Sequence, residues 1–143
     1  MMARLPLLLI QEGLFKMATH KGSCHCGKVS FEVTAPTDIT VARCNCSMCS
    51  LTGFIHFIID KENFNLISGE DDITTYTFNS HIAQHKFCKH CGIKSFYIPR
   101  SHPDGISVSL NALNQDTVTS IEYKEFDGAN WEKNVAALRE NLS

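Results

Sequence analysis

The chain has 143 residues, 43% hydrophobic and 20% charged, with 8 Gly and 4 Pro. That composition excludes collagen-like and disordered classes and fits one compact domain. A net charge of −2 supplies no basic face for nucleic acid or an anionic membrane surface, and no apolar run approaches the roughly 20 residues that span a bilayer.

Residues 1–16 (MMARLPLLLIQEGLFK) carry a short apolar run, Leu5 to Ile10, broken by Pro6 and followed at once by Gln11 and Glu12. The run is short for a secretory leader, which wants an apolar core of about 7–15 residues and a small-residue cleavage site. The segment reads as an N-terminal extension or alternative start, expected to be poorly ordered. A single domain over residues 17–143 follows it. Val29, Phe31 and Val33 alternate with polar residues and predict a strand ended by Pro36. Strands are also expected at Thr40 to Arg43, Phe54 to Asp60, Phe64 to Ile67 and Ile73 to Phe78. Gln84 to Phe87 and Ile93 to Ile98 predict a hairpin whose tip is a cysteine knuckle, and Ile106 to Leu110 a further strand after the Pro103-Asp104-Gly105 turn. Trp131, Val135, Leu138 and Leu142 form one apolar stripe at helical spacing, with Asn130 as the expected N-cap. The expected fold class is mainly β with a C-terminal helix.

Seven cysteines stand in clusters: Cys24 and Cys26; Cys44, Cys46 and Cys49; Cys88 and Cys91. An odd number of closely spaced thiols points away from a disulfide framework and toward metal ligation in a reducing compartment, the cytoplasm or nucleus. A closed structural zinc site takes four ligands, and a catalytic one keeps three and an open position. Cys88 and Cys91 followed by Gly92 form a zinc knuckle, and Cys24 and Cys26 followed by Gly27 supply a second pair at tighter spacing. Cys44, Cys46 and Cys49 place three ligands within six residues. Two bland readings stand beside this one. The thiols can be unliganded core residues, or the three-cysteine site can be a second structural zinc completed by His25, His56, His85 or His90. Three thiolates leave a divalent ion with a net negative charge, a poor setting for making hydroxide but a good one for a further soft thiolate. That favours thiol chemistry over hydrolysis.

The segments 22–27 (GSCHCG), 44–49 (CNCSMC) and 87–92 (FCKHCG) resemble, in order and spacing, the three signatures of the glutathione-dependent formaldehyde-activating enzyme (GFA) family. The segments 74–79 (TTYTFN), 81–85 (HIAQH), 95–97 (SFY), 99–101 (PRS), 126–128 (FDG) and 131–133 (WEK) are similar to the animal, centromere protein V-type branch of that family. The resemblance spans about residues 18–134. It implies an Mss4-like β-tent, a structural zinc on Cys24, Cys26, Cys88 and Cys91, and a catalytic zinc on Cys44, Cys46 and Cys49. It also implies a carbon–sulfur lyase that joins formaldehyde to glutathione as S-(hydroxymethyl)glutathione, with small-molecule thiol and aldehyde partners. Ser50-Leu51-Thr52-Gly53 differ from the basic residues that many bacterial members carry after the third cysteine. Residues 1–16 are unlike the basic N-terminal region of the animal branch.

Two other classes stay open: a non-catalytic zinc module for protein partners, and a centromere- or microtubule-associated protein. Arg43 reads as a solvated strand-end charge or an anchor for a glutathione carboxylate. His56 and His85 read as core histidines or proton carriers. Arg100 and His102 flank a turn and have no strong claim on a site. Phe54, Phe57, Phe96, Tyr97 and Trp131 read as structural, and no general base is singled out.

Overall fold

The computed structural model describes residues 16–142. The extension expected to be poorly ordered lies, except for Lys16, outside the described residues. Ten strands and two α-helices are present among them. In chain order they are β1 (Met17–Ser23), β2 (Ser30–Pro36), β3 (Asp38–Cys44), α1 (Ser47–Thr52), β4 (Ile55–Asp60), β5 (Phe64–Ser68), β6 (Ile73–Tyr76), β7 (Gln84–Cys88), β8 (Phe96–Ile98), β9 (Gly105–Ser109), β10 (Ser120–Phe126) and α2 (Trp131–Leu142). The protein is mainly β with a C-terminal helix. A three-stranded sheet runs β1-β2-β5 and a seven-stranded sheet runs β10-β3-β4-β9-β8-β7-β6. Every pairing is antiparallel except that of β10 with β3.

The alternation read in β2 is the core face of the small sheet: Phe31, Val33 and Ala35 are buried. Phe31 stacks on Phe64 with ring centroids 5.3 Å apart and meets Phe96 of the large sheet edge-on at 5.8 Å. Val33, Val41 and Val108 are fully shielded beside it, so one apolar layer joins the two sheets. Gly22 on β1 is required by that layer, because a Cβ there would land on the Phe31 ring and within 2.9 Å of the Ala112 carbonyl oxygen. Phe31→Ala is expected to cost about 3–5 kcal/mol, read as a lower denaturant midpoint at unchanged slope.

Three elements escaped the sequence reading. β1 (MATHKGS) buries only His20, whose ring is satisfied by Thr117 Oγ1 at 2.6 Å and by the Pro36 carbonyl at 2.9 Å. An imidazole on the core face hides the period-2 signal. β10 (SIEYKEF) is an edge strand with no fully buried residue. α1 has six residues, too few to show a helical period. Other expectations need trimming. β8 begins at Phe96, since residues 93–95 run irregularly out of the knuckle; β6 ends at Tyr76; and Phe54 precedes β4. Asn130 does not cap α2 through its side chain. Its amide donates to Asp127 Oδ2 at 2.6 Å, within a one-turn 3-10 helix (Gly128–Asn130) that leads into α2. Trp131 and Val135 of the helical stripe are half-buried, and the Leu138 and Leu142 side chains lie outside what is described.

Candidate metal centres and cavity

The seven thiols gather as four and three. The sulfurs of Cys24, Cys26, Cys88 and Cys91 all lie within 4.8 Å of one another, as do those of Cys44, Cys46 and Cys49. None is in a disulfide. In the first group Cys24 leaves β1 and Cys88 ends β7, so the group ties the small sheet to the large one. Each pair is set by a tight turn closed by a left-handed glycine, Gly27 at φ 82° and Gly92 at φ 76°. Backbone N–H groups already serve the sulfurs: Val29 donates to Cys24 Sγ and His90 to Cys88 Sγ, both at 3.4 Å. The backbone N–H groups of Cys26 and Ile93 help hold the Cys91 thiol down at about 6. Tetrahedral zinc–thiolate bonds of about 2.3 Å space the sulfurs about 3.8 Å apart. The 3.6 Å separations of Cys26 Sγ from Cys24 Sγ and Cys88 Sγ fit that sphere.

The second group is built where β3, α1 and the end of β10 meet. Cys44 ends β3, Cys46 caps α1 by accepting the Cys49 N–H at 3.4 Å, and Cys49 is the one buried residue of that helix. Asn45, between the first two ligands, fixes the facing turn. It donates to Asp127 Oδ1 and accepts from the Ala129 N–H, each at 2.9 Å. That turn brings Gly128 so close that a Cβ would fall on Cys44 Sγ. Mutual hydrogen bonds hold the Cys46 thiol far below its usual range and push the Cys44 and Cys49 thiols up, so one negative charge is shared among the three sulfurs. Both donor sets are soft, convergent and of the size that a thiophilic ion takes.

His56, open in the sequence as ligand, proton carrier or core residue, is buried behind Cys49, with Nε2 at 3.1 Å from Cys49 Sγ. It is not part of the convergent donor group. Burial and the nearby Lys94 charge push its pKa down to about 3, so the ring is neutral. Tyr97 Oη and Ser107 Oγ sit 3.1 Å from Nδ1. Burial keeps the Tyr97 hydroxyl protonated, which lets it donate to Nδ1 in the tautomer whose Nε2–H faces sulfur. His85 stacks on Tyr97 at 4.9 Å and on Phe78 at 5.4 Å. Lys94 Nζ lies 2.7 Å from His85 Nδ1 and 3.9 Å over the Tyr97 ring. Its burial lowers it to about 8, against the pull of Cys49 and Cys46. His90 is bound to Asp72 at 2.7 Å, and His25 borders a different cavity from the three cysteines.

The three thiols line a cavity of about 470 Å³ together with His56, His85, Tyr97, Arg100 and Trp131. The four-cysteine group contributes nothing to that wall; Cys24 alone borders another hollow. Arg43 is not at the cavity. It pairs with Glu125 at 3.5 Å and covers the Tyr123 ring at 4.3 Å, the bland reading of a strand-end charge. His102 faces a separate cavity. Sequence reasoning undervalued Tyr97 and Arg100, which line the site; their only signal was proximity in sequence to the second knuckle. No helix among the described residues is long and apolar enough to cross a membrane.

A crystal structure of a Rhodobacter sphaeroides protein, a structural-genomics target, is similar over 73% of this chain and 99% of its own length. It shares 29% sequence identity at a TM-score of 0.60. The profile of the glutathione-dependent formaldehyde-activating enzyme family matches residues 19–127, a span containing all seven cysteines. The chain belongs to the glutathione-dependent formaldehyde-activating enzyme family.

Proposed function

We propose that the chain is a zinc-dependent carbon–sulfur lyase-type enzyme that presents a glutathione-like thiol to an aldehyde such as formaldehyde, forming S-(hydroxymethyl)glutathione or a close analogue. In this reading residues 17–143 are one zinc-binding domain working in the cytoplasm. Cys24, Cys26, Cys88 and Cys91 hold a structural zinc, and Cys44, Cys46 and Cys49 hold a catalytic one. The observation that carries the reading is the openness of the second group. Its three sulfurs face a cavity together, and no fourth Cys, His, Asp or Glu donor joins them among the described residues. The family match supports the substrate class.

When bound, the ion supplies an open position for a soft thiolate and lowers that thiol's pKa below its free value of about 8.5. The reaction balances without an oxidant. A bond forms between thiolate sulfur and aldehyde carbon, the carbonyl π pair moves to oxygen, and the proton lost by the thiol ends on that oxygen. The chain confines the two reactants in one cavity, which converts a bimolecular encounter into a positioned one. His56 Nε2, 3.1 Å from Cys49 Sγ, holds that side chain in place. The rings of Tyr97 and Phe78 keep one wall dry.

Calorimetry of glutathione with the zinc-loaded chain, followed by formaldehyde consumption, tests the reading. Binding and turnover are expected in the parent and lost in Cys46→Ser and Cys49→Ser, with circular dichroism unchanged. Glutathione binding that survives both substitutions overturns it.

A further inference from the structure

Among the described residues that line the three-cysteine cavity, Arg100 is the only charged side chain besides the thiols, and none is Asp, Glu or Lys. Its guanidinium lies flat on the Trp131 ring, Cζ 3.8 Å from the centroid. Trp131 is braced edge-on by Phe126 at 6.0 Å and 90°. Phe126 in turn pairs in register with Cys44 across the parallel β10–β3 ladder. The cation is thus fixed, through two aromatic rings, to the strand end that carries the Cys44 sulfur. Stacking occupies the flat face of a guanidinium and leaves its N–H edge free. Among the described residues no carboxylate pairs with that edge, the recorded ion pairs being Arg43 with Glu125 and His90 with Asp72.

We propose that Arg100 is a specificity-determining residue that receives a carboxylate of the thiol substrate, so that the cavity selects acid-bearing thiols over neutral or cationic ones. This rests on the thiol-presenting reading above and goes beyond it by naming the group recognised. A planar carboxylate matches the guanidinium fork with two parallel hydrogen bonds. The half-buried setting of Arg100 and the aromatic plate beneath it reduce both the screening by water and the entropy lost on binding. Among the described residues of the wall no carboxylate is present to repel such a ligand.

The test compares kcat/KM of the zinc-loaded chain for glutathione, neutral 2-mercaptoethanol and cationic cysteamine, each with formaldehyde, in the parent, Arg100→Gln and Arg100→Lys. The preference for glutathione over 2-mercaptoethanol is expected to fall on the order of tenfold in Arg100→Gln, the scale of losing one charged hydrogen-bond pair. Arg100→Lys keeps the charge but not the fork, so it should sit between. S-methylglutathione, which keeps both carboxylates but has no free thiol, reads the anchor apart from adduct chemistry. Its calorimetric Kd should weaken about tenfold in Arg100→Gln. An unchanged thiol preference and an unchanged S-methylglutathione affinity overturn the assignment. If the parent turns over no thiol, the functional reading fails, and the S-methylglutathione comparison alone decides on Arg100, with absent or unaltered binding counting against it.

Discussion

Cys88→Ser is expected to leave no folded domain at 25 °C. Cys88 ends β7 on the large sheet and is 1% exposed, packed in the same apolar cluster as Val29, Phe31 and Val108. Its sulfur lies 3.6 Å from that of Cys26, which belongs to the turn between β1 and β2 of the small sheet. An ion bound at this point would therefore staple the two sheets together at the edge of their common core. Structural zinc contributes on the order of 10–16 kcal/mol in small zinc domains, and a whole domain of ordinary stability has only about 5–15 kcal/mol to lose. Removing one of four ligands would forfeit most of the first figure, and the buried Cys24 would lose the cation that offsets the cost of its thiolate. Cys44→Ser should cost far less, because that group ties β3 and α1 to a surface turn rather than sheet to sheet. Thermal melts by circular dichroism, with zinc counted per chain, check the pair. If Cys88→Ser melts cooperatively near the parent while Cys44→Ser is unfolded, the structural and catalytic assignments are exchanged.

The division into four and three was legible because each ligand pair or triplet is local in sequence and carries its own turn residues. Gly27 and Gly92 adopt the left-handed conformation the knuckles need, and that requirement shows in the letters. The joining of 24/26 to 88/91 is not local, but four ligands suit one closed site and the two leftover pairs suit each other. The support around the open site was not legible. His56 is eight residues from Phe64 and seven from Cys49, and nothing in FIHFIID tells which face of β4 turns toward sulfur; the register with β9, which sets Ser107 diagonally across, decides it. Gly128 and Asn45 meet only because β10 lies parallel to β3. A parallel pairing across more than 80 residues, made by an edge strand with no buried position, leaves no periodic trace. Arg43 shows the converse. Its place beside the ligand cluster suggested a substrate anchor, but successive strand residues face opposite sides, and the side chain turns to Glu125 and Tyr123 instead.

That dependence on one turn makes Gly128→Ala the sharpest perturbation of the open site. Gly128 is buried, and a Cβ there would meet Cys44 Sγ well inside contact distance, Cys46 Cβ at 3.2 Å and the Phe126 ring at 3.4 Å. The turn cannot simply retreat. Asn45 holds it through Asp127 and the Ala129 N–H at 2.9 Å each, and the Asn45 N–H holds the Phe126 carbonyl at 3.3 Å. The thiol of Cys44 is the mobile party, because a side-chain rotation moves it while the backbone stays pinned. Displacing it leaves two convergent sulfurs in place of three, too few for a stable thiolate site. The zinc content should fall from two per chain to one, and glutathione binding should go with it. The inter-sheet core and the four-cysteine group lie elsewhere, so the melting temperature should drop by only a few degrees. Elemental analysis after desalting, set beside a melt of the same sample, reads both quantities at once. An alanine variant that keeps two ions means that Cys44 is not a ligand, whereas one that is unfolded means that this turn, and not the four-sulfur staple alone, holds the domain together.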